Sequence, residues 1–250
     1  MVGAVIIGVM IVATIATIGF MLAPHMAPQR LVFDARPDRP KPFGYGMAWL
    51  AVRTRLPETV LAVLGVEEVE RANWNTGLGA VYSAKCGQDR IFVSQPVNGW
   101  VMVVGLSLPQ PLGRQFADKC SPLLIELGRH FIEIQYFLAY PELDHFAWAR
   151  LLEGKIVRAF AMGDEGVIWN RGKPSKEEKA MGLRFSEPRG RKGGTAEDLI
   201  LPPTEAHVMW LAGKWSLDPT RIDTTLSEPG LGYIGKAPII WRPERLRRVA

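Results

Sequence analysis

The sequence predicts an α+β fold, one mainly antiparallel sheet with a few packed helices, preceded by a single N-terminal transmembrane helix. Three observations predict it. Residues 1–23 contain no Asp, Glu, Lys, Arg or His, and 18 of them are hydrophobic. From residue 43 onward, strand-like runs alternate with helix-like runs, and all 30 basic and 25 acidic residues fall after the apolar stretch. Two of the strand-like runs are separated only by Glu153 and Gly154, a two-residue hairpin turn.

A bilayer core is crossed by about 20 apolar residues, and residues 1–23 meet that length. A cleaved signal peptide is the competing reading. It would carry Lys or Arg ahead of a shorter apolar core, whereas no basic side chain precedes this run, and Ala23, Pro24 and Ala27 make a poor cleavage context. Arg30, Arg36, Arg39 and Lys41 follow the span, so the basic-side rule expects a single-pass protein of a bacterial-type inner membrane with its large domain in the cytoplasm. A periplasmic domain stays open, because long domains can cross regardless of flanking charge. Residues 24–42 carry Pro24, Pro28, Pro37, Pro40 and Pro42 and read as a stiff linker. Residues 43–250 form the globular domain with a basic C-terminal tail.

Residues 43–53 are aromatic and β-rich and predict a strand. Residues 57–64 predict a helix, with Pro57 at its start, Glu58 in the first turn and Gly65 after its end. Residues 67–84 fit no single period. Residues 91–93 and 100–106 predict strands joined through a turn at Pro96, Asn98 and Gly99. Residues 112–129 predict a helix that Pro122 must kink or divide, and residues 131–138 a strand. The hairpin pairs 145–152 with 155–162, and 166–170 add a short strand. Ser175 and Glu178 have capping-box spacing. Residues 184–197 read as a mobile basic loop, and 203–214 as a helix with Thr204 at its N-cap.

Gly230, Gly232 and Gly235 satisfy G-x-G-x-x-G, but no strand–helix context surrounds them, so a glycine-rich surface turn is expected. Two cysteines, Cys86 and Cys120, exclude a four-cysteine zinc module. Both are expected to be free and mostly buried in a cytoplasmic domain, though in the periplasm they could pair. His145 stands near Glu142 and Asp144 without helical H-E-x-x-H spacing, and Ser107 lacks a nucleophile elbow. No metal and no cofactor is expected. Of eight tryptophans, Trp74 and Trp241 are the candidates for exposure.

Alternation places Glu133, Gln135, Arg150 and Arg158 on one sheet face, rimmed by Trp148 and Phe160. That composition suits a binding hot spot, and the competing reading is an ordinary wet sheet face with cross-strand ion pairs. Trp148→Ala and Arg158→Glu are expected to abolish partner capture without unfolding. The net charge is +5 and the tail carries Arg242, Arg245, Arg247 and Arg248, a candidate contact for an anionic membrane surface. No nucleic-acid fold signature accompanies the charge. The expected function is a membrane-anchored, non-catalytic protein-binding domain, for instance an immunity or inhibitor protein acting against a toxin. The alternatives are a membrane-tethered hydrolase using Glu133, Asp144 or His145, and an assembly subunit of an envelope machine.

Overall fold

Nine antiparallel strands form one sheet in the order β2-β9-β3-β4-β1-β5-β6-β7-β8, in a computed structural model that describes residues 33–164, 166–183 and 202–246. In chain order, β1 (Met47–Arg53) leads to α1 (Pro57–Leu64), β2 (Glu67–Ala72) and α2 (Trp74–Val81). Next come β3 (Arg90–Val93), β4 (Trp100–Val104), α3 (Cys120–Gly128) and β5 (Glu133–Tyr140). The hairpin β6 (His145–Leu152) and β7 (Lys155–Gly163) is followed by β8 (Gly166–Arg171) and α4 (Lys176–Ala180). The chain closes with α5 (Glu205–Trp215) and β9 (Gly232–Lys236). The anticipated α+β architecture with one large antiparallel sheet is present. Among the described residues no helix is long and apolar enough to cross a membrane. The run 1–23 lies outside the described residues, as do the 184–197 loop, Arg247 and Arg248.

Both faces of the sheet are covered. One apolar cluster joins Trp49, Phe92, Phe137, Trp148 and Phe160 to α2 and α5 through Trp74, Leu78, Val208 and Leu211. The opposite cluster joins Leu50, Val103, Tyr136 and Leu151 to α1 and α3 through Val60, Leu64, Leu124 and Leu127. Strands buried on both faces lose simple polar alternation, which is why the central strands read as near-continuous apolar runs.

The β6–β7 turn follows its predicted chemistry. Glu153 (φ 49°) and Gly154 (φ 75°) are both left-handed, as a turn matched to strand twist requires. Ser175 caps α4 by accepting from the Glu178 backbone, and the Glu178 carboxylate accepts from the Ser175 N–H. Asn98 (φ 48°) and Gly99 (φ 80°) make a second tight turn, closed by two bonds between Val97 and Trp100.

Three expectations need correction. The 230–235 glycines form no surface turn: Gly232 and Gly235 lie within β9, between β2 and β3. A Cβ at Gly232 would stand 2.4 Å from the Val93 carbonyl oxygen, so close strand packing demands glycine there. The expected 112–129 helix is confined to Cys120–Gly128, with Pro122 in the first turn, where its missing N–H costs nothing. Trp74 and Trp241 are buried, whereas Trp210 is 40% exposed. Within the 24–42 stretch read as a linker, the described residues from Phe33 onward belong to the compact unit 33–250. The Asp38 carboxylate accepts from the Trp74 and Asn75 N–H groups at the start of α2, where a negative charge meets unsatisfied donors and the positive helix end.

Candidate functional site

Strand register brings the predicted patch together on one face. Trp49, Phe137, Trp148 and Phe160 are aligned across β1, β5, β6 and β7 as an aromatic row, with Trp49 stacked on Phe137 at 5.2 Å and Trp148 against Phe160 at 4.7 Å. Two residues along, Ala51, Gln135, Arg150 and Arg158 form a parallel polar row. Arg150 and Arg158 are direct cross-strand partners. Like charges in that position repel, so each needs its own carboxylate.

They find different ones. Arg158 is buried and bonds Glu178 of α4, itself fully buried, at 2.7 Å and 3.0 Å through Nε. Glu178 Oε1 also accepts from Trp148 Nε1 at 2.8 Å. The capping carboxylate of a five-residue helix thereby pins that helix onto the sheet. Arg150 instead bonds Glu133 of β5, its Nε and Nη2 both 2.8 Å from Oε1. Gln135 Nε2 donates to the same oxygen at 2.9 Å and to the Trp215 carbonyl at 3.1 Å. The Arg150 guanidinium also lies 5.7 Å from the Trp215 ring centroid.

The expected wet, exposed face is thus roofed over most of its area. Trp148, Gln135, Phe160 and Arg158 are buried, because α4 and α5 cover them. A partner reaching Trp148 or Arg158 would have to displace the roof, and truncating either residue would remove core structure.

The patch opens at its Glu133 end. There a groove of about 540 Å³ is lined by Arg53, Asn98, Trp100, Ile132, Glu133, Leu152, Glu153, Trp215 and Ser216. The two tight turns wall it, contributing Asn98 and Glu153. Ile132 is 64% exposed, and the Arg53 guanidinium lies 5.0 Å from the Trp100 ring centroid. The hydrogen bonds to Glu133 fall on Oε1, so Oε2 has no hydrogen-bond partner among the described residues and is an acceptor available to a ligand. An exposed aliphatic side chain, two aromatic walls and an open carboxylate oxygen suit a protein segment bearing an apolar side chain beside a cationic or N–H donor. Arg53, Trp100, Ile132 and Trp215 escaped the sequence reading as site residues, because they lie on β1, β4, the residue before β5 and α5, which only the tertiary fold assembles.

The residues considered for hydrolysis do not converge. Tyr140 pairs with His145 at one end of the β5–β6 ladder and Glu133 with Leu152 at the other, roughly 23 Å apart for seven strand steps. Asp144 and His145 line a different cleft of about 500 Å³, with Glu142, Asp164 and Arg245. His145 is buried, with Nε2 3.0 Å from the Pro111 carbonyl oxygen, which fixes that nitrogen as the donor. Burial pushes its pKa below the usual histidine value.

Cys86 and Cys120 are both free. Cys120 is buried in the cluster beneath α1 and α3, and burial pushes its thiol well up. The Cys86 thiol donates to the Ala80 carbonyl, in the helix on the other face. Among the described residues, no group of three or more His, Cys, Asp or Glu side chains is placed to hold a metal ion.

These features define an α+β domain with one roofed and one open end of a single sheet face. Comparison with known protein families, curated proteins and solved structures finds no match.

Proposed function

We propose that the chain is a membrane-anchored, non-catalytic protein-binding domain that docks a protein segment in the groove between Trp100 and Trp215. An immunity or inhibitor protein that captures a toxin at the inner membrane is the kind of protein this describes. The observation that carries the reading is the open end of the patch, where exposed Ile132 and the unpartnered Glu133 Oε2 face a cleft between two rigid turns. Rigid walls lower the ordering cost of association. The membrane part rests on composition: residues 1–23 are charge-free and long enough to span, and the basic residues after them favour a cytoplasmic domain.

A benzophenone amino acid at position 132 of the full-length chain, irradiated in its own cells, tests the reading. The expected result is one discrete protein adduct, and the purified partner should bind the Ile132→Glu chain at least about 30-fold more weakly, the scale of a hot-spot residue. Unchanged affinity for Ile132→Glu would refute the groove as the docking site. The hydrolase reading would move to the His145 cleft, and it requires His145→Ala to abolish a turnover that Ile132→Glu leaves intact.

A further inference from the structure

Ile239 and Ile240 are 70% and 71% exposed on a single 3-10 turn, Ile239–Trp241. Trp241 is buried as the anchor of the turn, and bonds from Trp241 N to the Pro238 carbonyl and from Arg242 N to the Ile239 carbonyl close it. Pro238 and Pro243 stiffen the chain on either side. The same segment presents exposed Arg242 and Arg245, and Leu246 is 55% exposed. It is held against the domain by bonds from Ala117 N to the Glu244 carbonyl and from Leu246 N to the Gln115 carbonyl.

A rigid aliphatic wedge, followed along the same exposed segment by Arg242 and by Arg245, whose guanidinium lies 5.5 Å from the Phe116 ring centroid, matches the chemistry of an anionic bilayer interface. Branched aliphatic side chains enter the boundary between headgroups and acyl chains, and guanidinium groups pair with phosphate oxygens. We propose that residues 238–246 form a peripheral membrane-contact element, in which Ile239 and Ile240 insert into an anionic phospholipid surface and Arg242 and Arg245 bind its phosphates. This rests on the membrane-facing reading of the basic tail and adds the part that inserts.

The sheet register gives the contact a consequence. Lys236, at the end of β9, pairs with Arg90 at the start of β3. The other end of β3 runs against β4 with Val93 opposite Val103 and Phe92 opposite Val104. The turn after β9 therefore lies beyond the Val104 end of β4, whereas the groove is lined by Trp100 at the opposite end. A domain seated on the bilayer by Ile239 and Ile240 holds the groove toward the aqueous side.

The test uses the full-length chain with Cys86→Ser and Ile240→Cys, labelled with bimane, while buried Cys120 is left in place. It is reconstituted in nanodiscs of phosphatidylcholine alone or with one quarter phosphatidylglycerol. The expected result is a blue-shifted emission, quenched by acyl-chain spin labels, in the anionic discs only. Ile239→Glu should abolish it, and Arg242→Gln or Arg245→Gln should each lower the inserted fraction about fivefold, the equivalent of one charge near an anionic leaflet. No shift in anionic discs overturns the membrane contact and the tail reading together. A shift that survives Ile239→Glu overturns insertion but leaves tail electrostatics standing, and an equal shift in neutral discs overturns the requirement for an anionic surface.

Discussion

Arg150 and Arg158 face each other across β6 and β7, share a row and a sheet face, and live in different surroundings. Arg158 is sealed beneath α4 with Glu178, and its partner carboxylate also holds Trp148 and the N-cap of α4. Arg150 sits at the margin of α5 with Glu133, side chains 31% and 17% exposed. A buried pair leaves an uncompensated charge when one member is lost, whereas water can solvate the survivor of a marginal pair. The Arg158 end therefore serves the fold, and the Arg150 end is where the same chemistry can meet a ligand.

The largest effects should break this contrast if it is misplaced. Glu178→Ala is expected to cost about 3–5 kcal/mol, the scale of a broken buried ion pair, and Trp148→Ala a similar amount through the cavity it leaves. Urea unfolding of the full chain measures both. Losses below about 1 kcal/mol would mean the roof does not close as described. This replaces the expectation that Trp148→Ala spares the fold.

His145, at the far end of the same strand pair, gives a smaller, pH-dependent effect. Its folded pKa lies below the unfolded value through burial, so the unfolded chain binds the extra proton. The stability it contributes is complete above about pH 6.5 and is lost as pH falls below that toward the folded pKa. His207 is shifted down for the same reason and adds with the same sign. Thermal midpoints between pH 7.5 and 5 should fall more steeply in the wild type than in His145→Asn. Parallel slopes would show that His145 is not held neutral.

Glu133→Ala is expected to cost about 1 kcal/mol, since Arg150 keeps water and the Trp215 ring. A loss equal to that of Glu178→Ala would erase the distinction between the two ends. Smallest of all, Ile132→Glu should shift stability by no more than about 0.5 kcal/mol, while removing partner binding.

Signals confined to a few adjacent residues were legible in the chain. The α1 boundaries, the Glu153–Gly154 turn, the Ser175–Glu178 box and the sharing of one face by Glu133, Gln135, Arg150 and Arg158 all follow from local rules of turn and period. What covers that face is not local. Glu178 reads as a capping residue, and only the return of the chain after β8 turns its carboxylate onto Arg158. The edge strand β2 was illegible because exposed charges at Glu67, Glu68, Glu70 and Arg71 hide any period, as edges facing solvent do. Trp74 between two asparagines looked exposed, yet Asn73 is the N-cap of α2, its side chain accepting from Thr76 N–H. The groove combines a turn after β3, the ends of β1 and β6, the start of β5 and the last residue of α5, a set without sequence proximity.

The most direct measurement is a comparison of crosslinking yield from a benzophenone amino acid placed at Ile132 in the open end and at Lys176 on the roof, in the full-length chain in its own cells. Both positions are exposed, so accessibility does not separate them. The account predicts a single partner adduct from position 132 and none from position 176. An equal adduct from both positions, or one from position 176 alone, would contradict it.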